Sequence, residues 1–451
     1  MLKVAVAIKF YKGEISPFDK TCIEMALGVE NAEIFLISMG PKEIKENLEY
    51  FTRLGNVRAI LISDDCYKGS DTLVTAKILS SAIEKIKPDI ILCGRQSING
   101  DTAQVPAQIS TILGYNFYPY TLDFSFDKVK TRFGDFDLTT PALISLDGIK
   151  QLRFANIFSK KKEVEIWTNE KLRLDESKCG IKGSFTKVIS VLEKSKKERK
   201  CKFIGYDDLD GIIKKSLSEK KEAEEKLSSF SDGKIDRVVV VGEGLKIADE
   251  IAEEVVRIPF TTVRKTAIRI KDAGIKYILF SAGLQNRAIA PRIAVELDCG
   301  LCADCIGIKR ALNELRFLRP ANCENVIAEI SIEGKFAMAT VREKEDSVVK
   351  VVFGIGYGAK DRIENIEKLA KKYGAEIVAS RKVVDEGLID YEKQVGLTGK
   401  IISPAVYVAF GISGEIQHIV GIENSTTVIA INKDKDAKIF GYSDYGILCT
   451  L

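Results

Sequence analysis

The chain has 451 residues, 45 % hydrophobic and 29 % charged, which is ordinary globular composition with length for roughly three domains. Its 68 basic and 64 acidic residues leave a net charge of only +4, which argues against a dedicated nucleic-acid or anionic-membrane surface and favours small specific ligands. No apolar run approaches the roughly 20 residues of a membrane span, and the opening MLKVAVAIKF leads to no small-residue cleavage site, so no transmembrane segment and a cytoplasmic location are expected.

The first half alternates short apolar runs (KVAVAIK, AEIFLISMG, VRAILIS, PDIILCG, PALISLDG) with amphipathic stretches, the pattern of a parallel sheet with crossover helices. Between about Glu165 and Lys234 the sequence turns lysine- and glutamate-rich, with opposite charges at helical spacing, and reads as an arm, a solvated helix and a linker. The α/β rhythm restarts at DRVVVVGEG and again at VVKVVFGIGYG. The predicted fold class is therefore α/β, with three Rossmann-like, doubly wound parallel-sheet domains over 1–165, 233–346 and 347–451, and the arm and linker over 166–232. PDIILCGRQSINGDTAQVPAQISTILG and IKYILFSAGLQNRAIAPRIAVELDCG echo each other as strand, polar loop and helix with proline near its start, which suggests a duplicated domain. The ten cysteines suit reduced, buried thiols. Cys299, Cys302 and Cys305 in CGLCADC have metal-like spacing but no fourth ligand nearby, so no metal site is expected.

In the last domain VVKVVFGIGYG followed by a helical pattern reads as strand, glycine turn and helix. Gly354, Gly356 and Gly358 let the backbone turn tightly and approach a ligand, and the helix start offers N–H groups to a pyrophosphate. The spacing is not G-x-G-x-x-G, and the next strand ends in Ser380 and Arg381 instead of an acidic residue. Arg381 could meet a 2′-phosphate, so an NADP-dependent reductase stays open beside a flavin site, as does a non-catalytic nucleotide-binding scaffold. QVGLTGK and GISGEIQH then place Gln394, Thr398, Ser413 and Gln417 where they can converge on one ligand. His418, the sole histidine, sits among apolar neighbours where a satisfied core or surface imidazole is the ordinary reading.

Ser380-Arg381, QVGLTGK from Gln394, GISGEIQH from Gly411, NKD from Asn432 and DYG from Asp444 together closely resemble the alpha subunit of electron transfer flavoproteins. The first half resembles the beta subunit through SPFDKTCIEMAL, GSDTLVTAKIL, GRQSINGDTAQVPAQI and PALISLDG, so the chain looks like a beta–alpha fusion. The resemblance implies FAD in a mobile C-terminal domain, which takes electrons from flavin dehydrogenases such as acyl-CoA dehydrogenases of fatty-acid beta-oxidation. It further implies delivery to a membrane-associated quinone oxidoreductase, by a monomer equivalent to a beta–alpha heterodimer. Arg381 would place positive charge near the flavin ring, Thr398 would bond its reactive nitrogen, and His418 would face the pyrimidine carbonyl. Gly356, Tyr357, Gly358, Ser380, Gln394, Val395, Gly411, Ser413, Gln417, Asn432 and Asp444 would hold the rest of the cofactor.

The resemblance also implies a second nucleotide in the first domain, at Ala7, Lys9, Cys66, Asp101, Thr102, Gln104 and Val105. NGDTAQVP resembles the pattern of members with two FAD, linked to NADH-driven electron bifurcation, more than of those with AMP, so a second FAD is favoured. Two departures stand out. Tyr357 occupies a position where the family usually has arginine, and QLRFANIFSKKK lacks the leucine–proline pair of the family's docking loop, leaving Ile157 and Phe158 as partner anchors. Gly300 to Cys305 match the family's G-L-x-A-D-C segment, which leaves Cys299 and Cys302 without a chemical role.

Overall fold

A computed structural model describes residues 2–97, 102–125, 127–148, 150–193, 199–227, 234–242, 244–311, 314–321, 326–342, 351–390, 393–396, 402, 404–419, 421–423 and 425–449. The chain divides into two compact units, one made of 1–194 with 231–343 and the other of 195–230 with 344–451.

The first unit contains two parallel sheets. The apolar runs of the first half become strands buried on both faces, as parallel strands under crossover helices must be. Their order is Val164–Trp167, Val57–Ile62, Ala32–Met39, Leu2–Ile8, Ile90–Gly94, Ala142–Leu146 and Asn116–Phe124, all parallel, extended by an antiparallel pair at Lys128–Thr131 and Gly134–Asp137. Helices Pro17–Leu27 and Lys45–Phe51 cover one face, and Thr72–Ile86 and Val105–Leu113 the other. The second sheet runs Ala252–Ile258, Ile235–Val241, Tyr277–Ser281, Ala337–Val341 and Gly300–Cys305, again parallel.

One face of this second sheet departs from the doubly wound expectation. Ile308, Phe317 and Ile330 of an antiparallel sheet share its core with the short helix Lys246–Ile251, so helices do not cover that face alone. The edge strand of that antiparallel sheet is Thr186–Glu193, which pairs with Val326–Ile332. Asp71 ties this strand back to the first half by accepting the Phe185 N–H at 2.8 Å and the Thr186 N–H at 3.2 Å, while its other oxygen caps helix Thr72–Ile86 through the Val74 N–H at 2.9 Å. The echoed helices Val105–Leu113 and Leu284–Leu297 pack on one another, with Arg292 Nε donating to Thr111 Oγ1 at 3.3 Å. They differ in one respect, for Pro106 opens its helix whereas Pro291 lies inside the other.

In the second unit six parallel strands run Lys202–Phe203, Tyr445–Leu448, Thr427–Asn432, Val406–Phe410, Val351–Ile355 and Glu376–Ala379. The segment 166–232, expected as arm, solvated helix and linker, divides between the two units. Val164–Trp167 pairs into the first sheet and Thr186–Glu193 into the antiparallel one, while Lys202–Phe203 and helix Leu209–Leu227 belong to the second unit. Leu209 and Ile213 are buried in that unit's core with Phe353 and Ile366, which a charge-rich composition alone could not reveal.

Candidate functional site

Each unit has a cleft where the order of a doubly wound sheet reverses, outside the carboxyl ends of two neighbouring strands, which is the usual ligand position in such sheets. In the second unit those strands are Val351–Ile355 and Val406–Phe410, and the cleft holds about 680 Å³.

The glycines act here by allowing close approach, and the structure corrects the expectation of a tight turn. Gly354 lies within its strand, where a Cβ would overlap the Tyr407 hydroxyl. Gly356 has an ordinary φ of −95°, and a Cβ at Gly356 or Gly358 would run into the backbone of Gly411. Gly411 itself has φ +60°, in the region that favours glycine. Two loops thus meet backbone to backbone, and the Gly358 N–H donates to the Gly411 carbonyl at 3.0 Å. That N–H is therefore not held open for a pyrophosphate. A 3₁₀ turn, Tyr357–Arg362, precedes the helix Ile363–Tyr373, so the helix start stands farther from the loop than the sequence pattern implied.

The structure brings Gly356, Tyr357, Gly358, Ser380 and Arg381 to this cleft, together with Gln394, Val395, Gly411, Ser413, Gln417, His418 and Asn432. Ser413 and Gln417 lie at its exposed rim, while Gln394 is buried and the Val395 N–H donates to the Ala379 carbonyl at 2.9 Å. Ser380 occupies the N-cap position of Arg381–Asp385 without a capping side-chain bond. Arg381 is exposed and pairs with Asp385 at 3.3 Å. Asn432 spends its polar atoms on the protein, donating from Nδ2 to the Ile412 carbonyl at 3.0 Å and accepting the Asp434 N–H at 3.1 Å.

Asp444 does not line the cleft. Its carboxylate pairs with Arg199 and accepts the Val428 N–H at 2.9 Å, which locks the segment before Lys202–Phe203 onto the sheet. Thr398 lies outside the described residues. Sequence reasoning missed Lys382, a cleft residue whose ammonium sits 3.7 Å from the centre of the Tyr357 ring, and Lys438, another cleft residue, which pairs with Glu415 at 3.3 Å. Their only signal was a basic residue next to a recognised motif.

His418 is 7 % exposed and bonds Tyr407 Oη through Nε2 at 2.9 Å; among the described residues Nδ1 makes no hydrogen bond of ordinary geometry, although the Val395 backbone is near enough to favour the charged ring. Burial pulls its pKa down to about 4, opposed by the Val395 backbone.

The cleft of the first unit holds about 860 Å³. Ala7, Lys9, Thr102, Gln104 and Val105 line it, whereas Cys66 does not and Asp101 lies outside the described residues. Gln104 is taken up by the protein, accepting from Thr72 Oγ1 at 2.7 Å and donating to the Leu301 carbonyl at 3.1 Å. Asp19 and Arg95 also line this cleft and were not singled out from sequence. Burial pushes the Asp19 carboxyl up to about 7, against hydrogen bonds from Lys9 and Ser16. Arg95 reaches it from over the Phe18 ring and pairs with Asp147 at 2.8 Å.

Ile157 and Phe158 are 82 % and 85 % exposed beside Phe154 at 84 %, an apolar group clear of both clefts. Arg53 fixes their turn through the Asn156 and Ser159 carbonyls, both at 3.1 Å. Cys299, Cys302 and Cys305 are buried at Gly300–Cys305, with Cys305 Sγ donating to the Cys302 carbonyl at 3.4 Å. No described helix is long and apolar enough to cross a membrane.

A family model for the electron transfer flavoprotein domain matches residues 4–135 and 239–372, and one for the electron transfer flavoprotein FAD-binding domain matches 344–423. The chain is 36 % identical to an electron transfer flavoprotein subunit beta of Thermoanaerobacterium thermosaccharolyticum over 39 % of this chain and 74 % of that protein. It is 36 % identical to the subunit alpha of the same organism over 38 % of this chain and 66 % of that protein. A mitochondrial subunit alpha of Oryza sativa is 47 % identical over 23 % of this chain and 29 % of that protein. The chain thus spans just under two thirds, or less, of the alpha subunits it matches. The chemistry of the second unit's cleft fits FAD, since Arg381 and Lys382 bring positive charge to a cavity that the buried His418 ring also lines. With beta-like sequence in its first part and alpha-like sequence in the rest, the chain belongs to the electron transfer flavoprotein family.

Proposed function

We propose that this single chain carries electrons on FAD held in the second unit's cleft, accepting them from flavin dehydrogenases and passing them to a quinone oxidoreductase. The observation that carries the reading is the cleft at the sheet reversal, where Arg381, Lys382 and the buried ring of His418 line one cavity. FAD supplies the one- and two-electron chemistry. The chain's own part is to bind and orient it, to bring cationic side chains to a cofactor that gains negative charge, and to keep water from His418. Motion of the second unit between donor and acceptor belongs to the same proposal, as do Ile157 and Phe158 as apolar anchors for a donor protein.

The first cleft is proposed to hold a second FAD. Its volume of about 860 Å³ against about 680 Å³ in the FAD-binding unit supports the larger ligand over AMP. The test is to denature the purified chain and quantify released nucleotides. Two FAD and no AMP per chain are expected, and one of each would overturn the second assignment. A colourless chain that oxidises NADPH would overturn the carrier reading in favour of a reductase.

A further inference from the structure

Asp65 and Tyr67 line the first unit's cleft, whereas Cys66 between them does not. The Cys66 side chain packs instead with the core that contains Cys179. The short turn Asp65–Tyr67 is held in place by the segment that starts at Cys179. The Ile181 N–H donates to the Lys68 carbonyl at 3.1 Å, and the Asp71 N–H donates to Ser184 Oγ at 2.8 Å. Gly180, at φ +57°, makes the approach possible, because a Cβ there would lie 2.4 Å from the Cys66 carbonyl oxygen. Two stretches far apart in the chain thus run side by side, and the Cys66 thiol meets the Cys179 sulfur as a hydrogen-bond donor.

Other neighbouring cysteines, Cys302 with Cys305 and Cys22 with Cys93, are buried in both members and shielded from a dissolved oxidant. Cys66 is partly exposed while Cys179 is 3 % exposed, so one sulfur can be reached from solution and the other stands behind it. That is the arrangement of an attacking and a resolving thiol. Burial pushes Cys66 up to about 12 and Cys179 upward, with Asp64 and Glu176 adding to the rise at both and Asp175 at Cys179. The Tyr67 phenol beside them is pushed upward by burial as well and stays neutral. Both sulfurs are therefore thiols at neutral pH. They react slowly there, and a disulfide between them is slow to reopen, because a thiolate of high pKa is a poor leaving group.

We propose that Cys66 and Cys179 are a redox-sensitive pair that a small-molecule disulfide closes to an intramolecular bond, fixing the turn Asp65–Tyr67 of the cleft wall to the segment 179–186. In the first step the Cys66 thiolate attacks one sulfur of the reagent, forms a mixed disulfide and releases one small thiolate. In the second, Cys179 gives up its proton and its sulfur attacks that of Cys66, releasing the other. Two electrons pass from the cysteines to the reagent, and the two protons end on the two small thiols. The pair acts on the wall itself, so the proposal holds whichever nucleotide the cleft takes.

The test treats the full holo chain, first reduced, with oxidised glutathione. Peptide maps made without reduction should show Cys66 joined to Cys179. Hydrogen exchange over residues 64–71 should slow by about tenfold or more in the joined chain, because the cross-link removes openings that separate the two segments. The rate of joining should rise about tenfold per pH unit through the neutral range, as a thiolate fraction does well below its pKa. Cys179→Ser should stop at the glutathione adduct on Cys66. Cys66 left unjoined in the wild-type chain, or joined to a different cysteine, overturns the proposal, and this map decides even if the variant does not fold. Unchanged exchange over residues 64–71 in the joined chain overturns it as well.

Discussion

The resemblance leads one to expect arginine at Tyr357, and positive charge reaches the cleft through other residues. The Lys382 ammonium lies 3.7 Å from the centre of the Tyr357 ring, and that of Lys360 lies 4.3 Å from it and 2.9 Å from the hydroxyl. The ring is a platform that two lysines from different elements share, and Lys382 itself lines the cleft. Lys382→Ala should weaken FAD binding about threefold, the worth of one exposed cation over a ring, as measured by titrating the deflavinated chain with FAD. Tyr357→Phe keeps the platform and should bind FAD within twofold of wild type, by about the same reasoning. The replacement of arginine was visible in the sequence. Its compensation was not, because Tyr357 and Lys382 are 25 positions apart and only the fold sets one over the other. Asp444 shows the opposite case, since a carboxylate in a recognised motif looks like a ligand group until its partner Arg199, far away in sequence, is seen.

At the scale of elements, strands were legible wherever both faces are buried, because a parallel strand writes its burial as a continuous apolar run. Helix Leu209–Leu227 was legible as a helix but not in its destination. Its exposed Lys214 and Lys215 mark a solvated face, and the buried apolar side chains Leu209 and Ile213 attach it to the second unit. Near its start Tyr373 donates to Asp210 at 2.9 Å, so a hydrogen bond accompanies the apolar contact. A tethering helix of this kind should be sensitive at few positions. Ile213→Ala should destabilise the second unit by about 2–4 kcal/mol through the cavity left against Phe353 and Ile366. Substitution of exposed Lys214 or Lys215 by alanine should cost less than about 0.5 kcal/mol. Denaturant unfolding followed by hydrogen exchange in the second unit's strands separates the two outcomes, and equal effects at both kinds of site would show that the helix does not belong to that core.

At the scale of the whole molecule, the two units carry buried ionisable groups with opposite shifts, one in each. Asp19, in the first unit's cleft wall, has its pKa raised from 3.8 to about 7 by burial, with the Lys9 ammonium and backbone N–H opposing. A carboxyl raised in the fold stabilises the folded state while it is protonated. That contribution is complete below pH 3.8 and is lost as pH rises through about 7, for a total of about 4 kcal/mol. His418, in the second unit, has its pKa lowered from 6.5 to about 4 by burial. A neutral imidazole preferred by the fold stabilises it above pH 6.5, and about 3 kcal/mol is lost as pH falls through about 4. Between pH 4 and 7 the two units should therefore respond in opposite directions, the first losing stability as the solution becomes more alkaline and the second gaining it. Thermal unfolding across this range, read by hydrogen exchange in the strands Val406–Phe410 and Thr427–Asn432 for the second unit and by Trp167 fluorescence for the first, should show two transitions that approach or separate with pH. Asp19→Asn should flatten only the first unit's pH dependence and His418→Gln only the second's. A single transition with one common pH dependence in all three proteins would mean that the units unfold together and that neither group controls its own.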